Sequence, residues 1–432
     1  MASYRSPDLL RYSQAVAGWL AGPAPGALAA QVAGWDDAAW DDARWAIQVH
    51  GIGPLLHHAL AARPDAAALQ PRLRGYLADQ HHLSGERVAL LLGELAELLR
   101  ACRAAGVAVL PLKGALLATQ YYPSPGLRPM NDLDLLARPE DEPRLLAVLE
   151  RLGYRLVARS WKHMMLARPE GRGPVVSWEG EHPANPRSLD LHLRLGEQFW
   201  GLRYDLTTSA WESAQPGTLL EVETLLMSPA ALLHHLAVHA SSDTIARRLR
   251  RLHLHDIALV ARALDDAGWR QILAWVCTQG EARLIYPALA FTSRYYPVIP
   301  ESILRELRAR LPPALLRHLD ASELDRFSFC NSAPTTVAEK LCWFRPGREQ
   351  LVALRHMALP DAGEIAIWYP SLARPALLPL AYARYGIEML GWAVRRALGR
   401  PRRKLARGRE EQRPMTERDD EDQTRTAEGI GS

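Results

Sequence analysis

Two aspartates separated by one residue, Asp132 and Asp134, are the side chains of this sequence best suited to chemistry. They lie in the run 128–136, Arg-Pro-Met-Asn-Asp-Leu-Asp-Leu-Leu, whose alternation predicts a β-strand. Both carboxylates leave one face of such a strand, while Leu133 and Leu135 point into the core. Two like charges this close either raise a pKa or bind a divalent cation, and oxygen ligands of this kind suit Mg²⁺ or Mn²⁺. A solvated strand edge is the simpler alternative.

A third carboxylate, Asp190, occurs in a second alternating segment, 188–195, Ser-Leu-Asp-Leu-His-Leu-Arg-Leu. Asp190, His192 and Arg194 are expected on one face of this strand. If the two acidic strands are neighbours, three carboxylates meet at one place, which is enough to hold two metal ions about 3.5–4 Å apart. The pattern thus allows a metal site with three aspartate ligands on the condition that the two strands are adjacent.

The segments before the first acidic strand predict a turn that binds phosphate. An amphipathic helix over 88–105 ends at a glycine and precedes a short buried strand over 107–110. Lys113-Gly114 follows, and 115–122 has the composition of a helix. Free backbone N–H groups and the helix dipole at Gly114 would favour phosphate, and Lys113 would add a positive charge. A further helix is expected after the acidic strand, over 140–152.

Four motifs follow one another along the chain: Lys113-Gly114, Arg128, Asp132-x-Asp134 and Asp190-x-His192. Together they resemble the nucleotidyltransferase superfamily, in its branch of poorly characterised bacterial nucleotidyltransferase-like proteins. The resemblance is strongest over about 107–195 and continues more weakly to about residue 263. One departure is that better-known members have Gly-Ser where this chain has Lys-Gly, so the hydroxyl that grips phosphate is missing.

The resemblance implies an α+β fold in which a small mixed sheet is flanked by N-terminal and C-terminal helical regions. It implies transfer of a nucleotidyl group from a nucleoside triphosphate, with ATP as the default, to a hydroxyl-bearing acceptor. The acceptor would be a small molecule, a peptide or a saccharide. Mg²⁺ or Mn²⁺ would be the cofactor.

The resemblance also assigns roles to individual residues. The catalytic and metal-binding residues would be Asp132, Asp134 and Asp190, and the nucleotide or phosphate ligands would be Lys113, Gly114 and Arg128. His192 would be an accessory base or acceptor contact, although a histidine near carboxylates is more often a structural hydrogen-bond partner. Asp256, in a Leu-His-Asp-Ile context, would be a second accessory residue, with a buried salt bridge as the alternative.

Two other functions remain open at this point. A glycosyltransferase also uses Asp-x-Asp to hold the metal of a nucleotide sugar, but such enzymes usually present a larger nucleotide-binding sheet before the motif. A catalytically silent module of the same fold would bind nucleotide or a partner without transfer, and the missing serine favours this alternative. Three histidines on a later helix, His234, His235 and His239, lack the His-Glu-x-x-His arrangement of a zinc site and are expected to be packed or hydrogen-bonded.

Length and composition limit the remaining choices. A chain of 432 residues with 48% hydrophobic content can bury several cores. The expected divisions are an N-terminal helical region 1–105, an α/β core 106–200, a helical domain 201–345, an apolar and basic segment 346–408 and a disordered tail 409–432. A formal charge of +4 gives no clear nucleic-acid footprint.

No apolar run is long enough to span a bilayer, and four widely spaced cysteines fit a reducing compartment, so a soluble cytoplasmic protein is expected. The segment 365–404 combines apolar residues with a basic run and could dock on a membrane surface or a partner. Ordinary packing of the apolar part with a solvated basic tail is the favoured interpretation of this segment.

Overall fold

The structure is a computed structural model of the protein. It describes residues 9–20, 27–160, 162–177, 182–200, 202–328, 336–372 and 374–397. The chain forms two compact units, with the boundary between Gln350 and Leu351. The predicted tail 409–432 and the basic run 400–404 lie outside the described residues. Within the described ranges, no helix is both long and apolar enough to cross a membrane.

The first unit begins with helices. They are α1 (Leu9–Trp19), α2 (Ala27–Val32), α3 (Asp37–His50), α4 (Gly53–Ala61) and α5 (Pro71–Ala104). The predicted helix 88–105 is the second half of α5, which presents an apolar row that includes Leu91, Leu95 and Leu98 to the core. Gly106 follows at φ 65°, a left-handed conformation that glycine adopts without strain.

A mixed five-stranded sheet follows the long helix. Its strands are β1 (Val109–Pro111), β2 (Asp132–Ala137), β3 (Arg155–Arg159), β4 (His163–Ala167) and β5 (Ser188–His192), and its helices are α6 (Lys113–Gln120) and α7 (Glu142–Arg151). The strand order is β1-β2-β5-β4-β3, in which β2 and β5 are parallel and the other neighbours are antiparallel. The predicted α+β class with a small mixed sheet is confirmed.

Several predicted boundaries differ from the observed ones. The helix predicted over 115–122 begins at Lys113, and the strand predicted over 188–195 ends at His192. The early end of the strand has a local cause. The backbone N–H of Leu195 donates to Thr207 Oγ1 at 2.8 Å, so the chain leaves the sheet before this residue. Arg194 is therefore beyond the strand and exposed, and it does not share the strand face of Asp190 as predicted.

Two β-hairpins follow the sheet. All of their strands except the first lie in the region from residue 201 that is predicted to be helical. They are formed by β6 (Gly196–Phe199) with β7 (Leu202–Asp205) and by β8 (Gln215–Leu219) with β9 (Val222–Leu226), and α8 (Thr207–Glu212) lies between them. The second hairpin turns through Leu220 and Glu221, at φ 50° and 62°. These residues carry no Asn-Gly or Asp-Gly signal, which explains why the sequence pattern did not reveal the turn.

The rest of the first unit is helical. Its helices are α9 (Pro229–Ala246), α10 (Arg251–Arg262), α11 (Asp266–Gln279), α12 (Tyr286–Ser293), α13 (Glu301–Arg308), α14 (Pro313–Asp320), α15 (Leu324–Ser328) and α16 (Val337–Leu341). α9 is the central one, because every residue from Ala230 to Ser241 is buried except the half-buried His239, and the helix packs against α10, α11 and α12.

The second unit is a small helical assembly. The unit boundary falls in α17 (Arg348–Ala358), and α18 (Ala362–Trp368) and α19 (Leu378–Ala397) complete it. Its buried core consists of Ile365, Tyr369, Ala381 and Tyr385. The hydroxyl of Tyr385 donates to the carbonyl of Met357 at 2.6 Å, which ties α19 to the end of α17.

Candidate active site

The two acidic strands are direct neighbours in the sheet. β2 and β5 run parallel with Asp134 opposite Asp190 and Asp132 opposite Ser188. Leu133 and Leu135 are buried at 1% and 0% exposure, whereas the aspartates of both strands are only partly buried. Because paired residues of adjacent strands face the same side of a sheet, all three carboxylates lie on one face.

A buried arginine of α5, Arg87, binds the segments that lead into both acidic strands. Its guanidinium is 1% exposed and donates to five backbone carbonyls at 2.6–3.1 Å. These carbonyls belong to Met130 and Asn131 just before β2, and to His182, Asn185 and Pro186 just before β5. The planar fork of arginine suits this arrangement, and it fixes the two strand starts relative to each other.

Lys113 and Gly114 form the turn that precedes the site, as the sequence places them at the start of α6. Lys113 adopts φ 37°, an uncommon conformation for a residue with a side chain, and its Nζ lies 3.4 Å from Asp134 Oδ1. A Cβ at position 114 would lie 2.8 Å from Arg128 Nη1 and 2.8 Å from the sulfur of Met130. A larger residue at 114 would thus force the side chains of Arg128 and Met130 to shift.

Arg128 is bound to Asp256 of α10. Arg128 Nε lies 3.1 Å from Asp256 Oδ1, and Nη2 lies 2.8 Å from Oδ2, so the pair is bidentate. The hydroxyl of Tyr122 also donates to Asp256 Oδ1 at 2.6 Å. The guanidinium that the resemblance assigns to phosphate is therefore neutralised by a buried carboxylate, and the pair links the segment before β2 to the helical part of this unit.

The three aspartates differ sharply in their electrostatic surroundings. Burial, together with the charges of Asp134 and Asp190, raises the pKa of Asp132 to about 7. Burial and the charge of Asp134 likewise raise the pKa of Asp190 to about 6. Burial also opposes ionisation of Asp134, but Lys113 and the hydrogen bond from His192 outweigh it and hold its pKa well below the ordinary value. The surroundings thus favour ionisation of Asp134 and oppose ionisation of Asp132 and Asp190, despite the nearby charges of Lys113, Arg128 and Lys162.

Two histidines border the carboxylates. His192 Nε2 lies 3.0 Å from Asp134 Oδ1, and His163 Nε2 lies 3.3 Å from Asp190 Oδ2. Burial lowers the pKa of His192 to about 4, despite its hydrogen bond to Asp134. A neutral His192 carries one ring proton, which it donates to Asp134 through Nε2. The geometry makes His192 an orienting partner of Asp134.

A second polar cluster lies beside the aspartates and was not found from the sequence. Glu197 of β6 accepts from Lys162 and His239 through Oε1 and from Ser242 through Oε2. These four residues, Lys162, Glu197, His239 and Ser242, are named the Glu197 cluster. Glu197 contributes to the pKa of Lys113, and Lys162 to that of Asp190, so the cluster and the aspartates share one electrostatic neighbourhood. Lys162 precedes β4, and nothing in its local sequence marks it as a site residue.

The histidines of α9 are hydrogen-bonded or packed, as expected. His234 Nε2 lies 2.8 Å from the hydroxyl of Tyr204, and its ring stacks on Trp275 at 5.4 Å. His239 Nδ1 lies 3.1 Å from Glu197. His235 is 2% exposed, and burial holds its pKa well below the ordinary value.

The oxygen donors of the site fit Mg²⁺ or Mn²⁺ chemically. Two half-buried carboxylates with raised pKa values would be relieved by a divalent cation, and carboxylate oxygen is the ligand type these ions prefer. With the side chains as they stand, the described residues include no group of three or more His, Cys, Asp or Glu poised to hold a metal ion. The residues available to do so are Asp132, Asp134 and Asp190.

The sequence matches a protein family described as uncharacterised nucleotidyltransferase over residues 36–297. The match spans 262 of the 432 residues, which is more than half of the chain, and it includes every candidate site residue named above. No functionally curated protein matches the chain.

Two solved structures show a remote similarity. One is the solution structure of the antibiotic-resistance factor ANT(2'')-Ia, with 15% identity and a TM-score of 0.33, covering 44% of this chain and 94% of that one. The other is the crystal structure of ANT(2'')-Ia in complex with adenylyl-2''-tobramycin, with 15% identity and a TM-score of 0.32, covering 44% of this chain and 97% of that one. The family is established by the sequence match and not by these similarities.

Proposed function

Because the chain belongs to the uncharacterised nucleotidyltransferase family, we propose that it transfers a nucleotidyl group from a nucleoside triphosphate to a hydroxyl-bearing acceptor with Mg²⁺ or Mn²⁺. ATP is the default donor. The acceptor is proposed to be a small molecule, a peptide or a saccharide. An adenylylated small molecule, adenylyl-2''-tobramycin, is bound in one of the two remotely similar structures and is of the same kind.

The observation that carries this proposal is the register of β2 and β5. It brings Asp134 opposite Asp190 with Asp132 two residues away on the same face, and Lys113 beside them. Carboxylates and a lysine on one half-buried surface supply what nucleotidyl transfer needs, namely ligands for a divalent cation and positive charge for a triphosphate. A purely structural sheet would gain nothing from two carboxylates whose pKa values are raised by burial and like charge.

Asp190 is the proposed acceptor of the hydroxyl proton. The acceptor oxygen attacks the α-phosphorus, the bond from that phosphorus to the pyrophosphate oxygen breaks, and the proton of the hydroxyl passes to a carboxylate oxygen of Asp190. Without a bound cation the pKa of Asp190 is raised to about 6, so its carboxylate is ionised at neutral pH and able to accept a proton. His163, 3.3 Å from Asp190 Oδ2, orients that carboxylate.

Lys113 and Lys162 are the proposed ligands of the triphosphate. Lys113 is held at the site by Asp134, and Lys162 by Glu197, so each ammonium is positioned before nucleotide arrives. They would take the place of the serine hydroxyl that better-known superfamily members carry. Arg128 is proposed to act on nucleotide indirectly, through its pair with Asp256, which fixes the segment that leads into β2.

Asp132, Asp134 and Asp190 would hold the divalent cation, which when bound offsets negative charge on the triphosphate and lowers the barrier to attack at phosphorus. His192 is proposed to keep Asp134 in a ligating orientation by its hydrogen bond. The backbone N–H groups that begin α6 at Gly114 would add donors to phosphate oxygens.

The test is an incubation of the purified protein with ATP labelled at the α-phosphate, Mg²⁺ and a cell extract. We expect the label to become attached to an acceptor with release of pyrophosphate. Asp132→Asn and Asp190→Asn are each expected to lower the rate by about 10²–10³-fold, the scale of removing a group that stabilises transition-state charge. Parallel reactions with the other nucleoside triphosphates identify the preferred base.

The matched control is Asp79→Asn, since Asp79 is an exposed carboxylate on α5 remote from the sheet in sequence. Circular dichroism of each variant verifies folding. Nucleotide binding without attached label would contradict transfer and identify a silent binding module. Label attached only from γ-labelled ATP would indicate phosphoryl transfer, and transfer from a nucleotide sugar would indicate a glycosyltransferase.

A further inference from the structure

The last described helix, α19, has apolar residues on two opposite faces. One face is covered within its own unit, where Ala381 and Tyr385 are 0% and 7% exposed and pack with Ile365 and Tyr369. This contact accounts for the fold of the second unit. It does not account for the other apolar face.

The opposite face is open and continuous. Its members are Leu380, Ala383, Ile387, Leu390 and Val394, and the four large ones are 58%, 72%, 67% and 49% exposed. At 100° per residue these positions fall within an arc of about 80°, on the side of the helix away from Ala381 and Tyr385. They are named the exposed stripe of α19. Single exposed apolar residues are ordinary, but a row along one helix marks an interaction surface.

The net charge of the sequence segment that contains the exposed stripe indicates the kind of partner. From Arg374 to Arg409 the sequence contains ten basic residues and one acidic residue, a net charge of +9. The acidic residue, Glu388, already accepts from Tyr369 and Arg384. The whole chain has a net charge of only +4, so positive charge is concentrated in this segment. The partner should therefore be anionic.

We propose that the exposed stripe of α19 docks on an anionic lipid bilayer, with the helix parallel to the membrane surface. The apolar side chains would enter the boundary between headgroups and acyl chains, and the net positive charge of the segment would attract it to anionic headgroups. This surface is independent of the proposed nucleotidyl transfer.

The alternative partner of the exposed stripe is a second copy of the chain. The spacing of Leu380, Ile387 and Val394 at seven residues would suit a coiled coil. Two parallel copies would, however, bring two segments of charge +9 together, and the single acidic residue within 374–409, Glu388, already accepts from Arg384. Like charges oppose such a pair, whereas anionic lipid neutralises the segment.

The experiment is co-sedimentation of the full chain with vesicles. We expect binding to vesicles of phosphatidylglycerol mixed with phosphatidylcholine, none to phosphatidylcholine alone, and weaker binding at high salt because charges are screened. Ile387→Gln with Leu390→Gln removes apolar area without adding charge and should lower the bound fraction by at least about 10-fold. The control is Leu156→Gln with Val176→Gln, which alters two apolar residues of the first unit that are 54% and 56% exposed.

Circular dichroism of both double variants verifies that they fold. The proposal is overturned if the chain does not bind anionic vesicles, or if the α19 variant binds as well as the control. Sedimentation velocity of the same proteins tests whether two copies of the chain associate through the exposed stripe. A dimer that the α19 variant dissociates, with no vesicle binding, would reassign the exposed stripe to contact between copies.

Discussion

The acidic strands and the Glu197 cluster are neighbouring polar regions with opposite electrostatic states. In the cluster, Glu197 accepts from a lysine, a histidine and a serine, and the hydrogen bond from His239 and the charge of Lys162 outweigh burial to lower its pKa. In the strands, burial and like charge raise the pKa values of Asp132 and Asp190. Similar burial therefore produces one carboxylate whose ionisation its partners favour, and two whose ionisation is opposed by burial and like charge.

This difference separates a structural group from a functional one. A satisfied buried carboxylate contributes to stability only while its partners remain. A carboxylate with a raised pKa costs stability in the free protein and regains it when a cation binds. This comparison is consistent with the proposal that the acidic strands bind the ligand and that the Glu197 cluster positions Lys162.

The largest effect on stability is expected from Arg87→Lys. This substitution would disturb the alignment of β2 with β5, on which the close approach of the aspartates depends. Lysine cannot reproduce five hydrogen bonds to carbonyls before β2 and β5, and each is worth about 0.5–1.5 kcal/mol. We expect a loss of about 4–5 kcal/mol in the free energy of unfolding, measured by urea denaturation. Arg74→Lys, at an exposed position of the same helix, is the control. Equal effects of the two substitutions would refute the assigned role.

Glu197→Gln should cause the next largest loss of stability, because it removes the charge that holds Lys162 and His239. Breaking a buried pair from one side typically costs about 3–5 kcal/mol, and we expect about 3 kcal/mol here by urea denaturation. Adding Lys162→Met should recover part of the loss, since the unpaired ammonium is then gone. If Glu197→Gln is as stable as the wild type, the cluster is not a structural support.

The acidic strands and the start of α6 could be predicted from the sequence because their signals are local. Alternation of aspartate with leucine fixes which side chains share a face, and Lys113-Gly114 lies directly after a buried run. The family resemblance supplied the expectation that the strand of Asp190 lies beside the strand of Asp132. The structure shows that pairing as a parallel register.

The partners that complete the site could not be predicted, because they are distant in sequence. Arg128 and Asp256 are 128 residues apart, and Glu197 and His239 are 42 apart. Arg87 binds carbonyls, which every residue has, so no side-chain pattern marks it. Pairings of this kind depend on how the hairpins and α9 pack on the sheet, and alternation or helical spacing carries no information about that.

The two regions should respond to pH in opposite directions. Asp132 has a folded-state pKa of about 7, above its ordinary value of 3.8, so the folded wild type binds more protons and loses stability relative to Asp132→Asn as pH rises from about 4 to 7. Glu197 has a lowered pKa, so the stability it contributes is present above pH 4.5 and is lost as pH falls below that value.

Urea denaturation with a chelator present measures both trends. The stability of Asp132→Asn minus that of the wild type should increase by about 1–3 kcal/mol between pH 5 and pH 8, since one pKa unit corresponds to about 1.4 kcal/mol. Adding Mg²⁺ at pH 8 should reduce this difference by stabilising the wild type alone. A difference that is constant with pH would mean that Asp132 is not repelled by its neighbours.

The smallest effect is expected from Gly114→Ala, which tests whether the turn at the acidic strands is sterically fixed. The added Cβ would lie 2.8 Å from Arg128 Nη1 and from the sulfur of Met130, so these side chains must shift at a cost of about 1–2 kcal/mol. Gly93→Ala on α5 is the control, because no atom lies within 4 Å of its Cβ and alanine should stabilise the helix by about 0.5–1 kcal/mol. Opposite signs in thermal denaturation support a packed turn, whereas stabilisation by both would show that Arg128 is free to move and could reach phosphate.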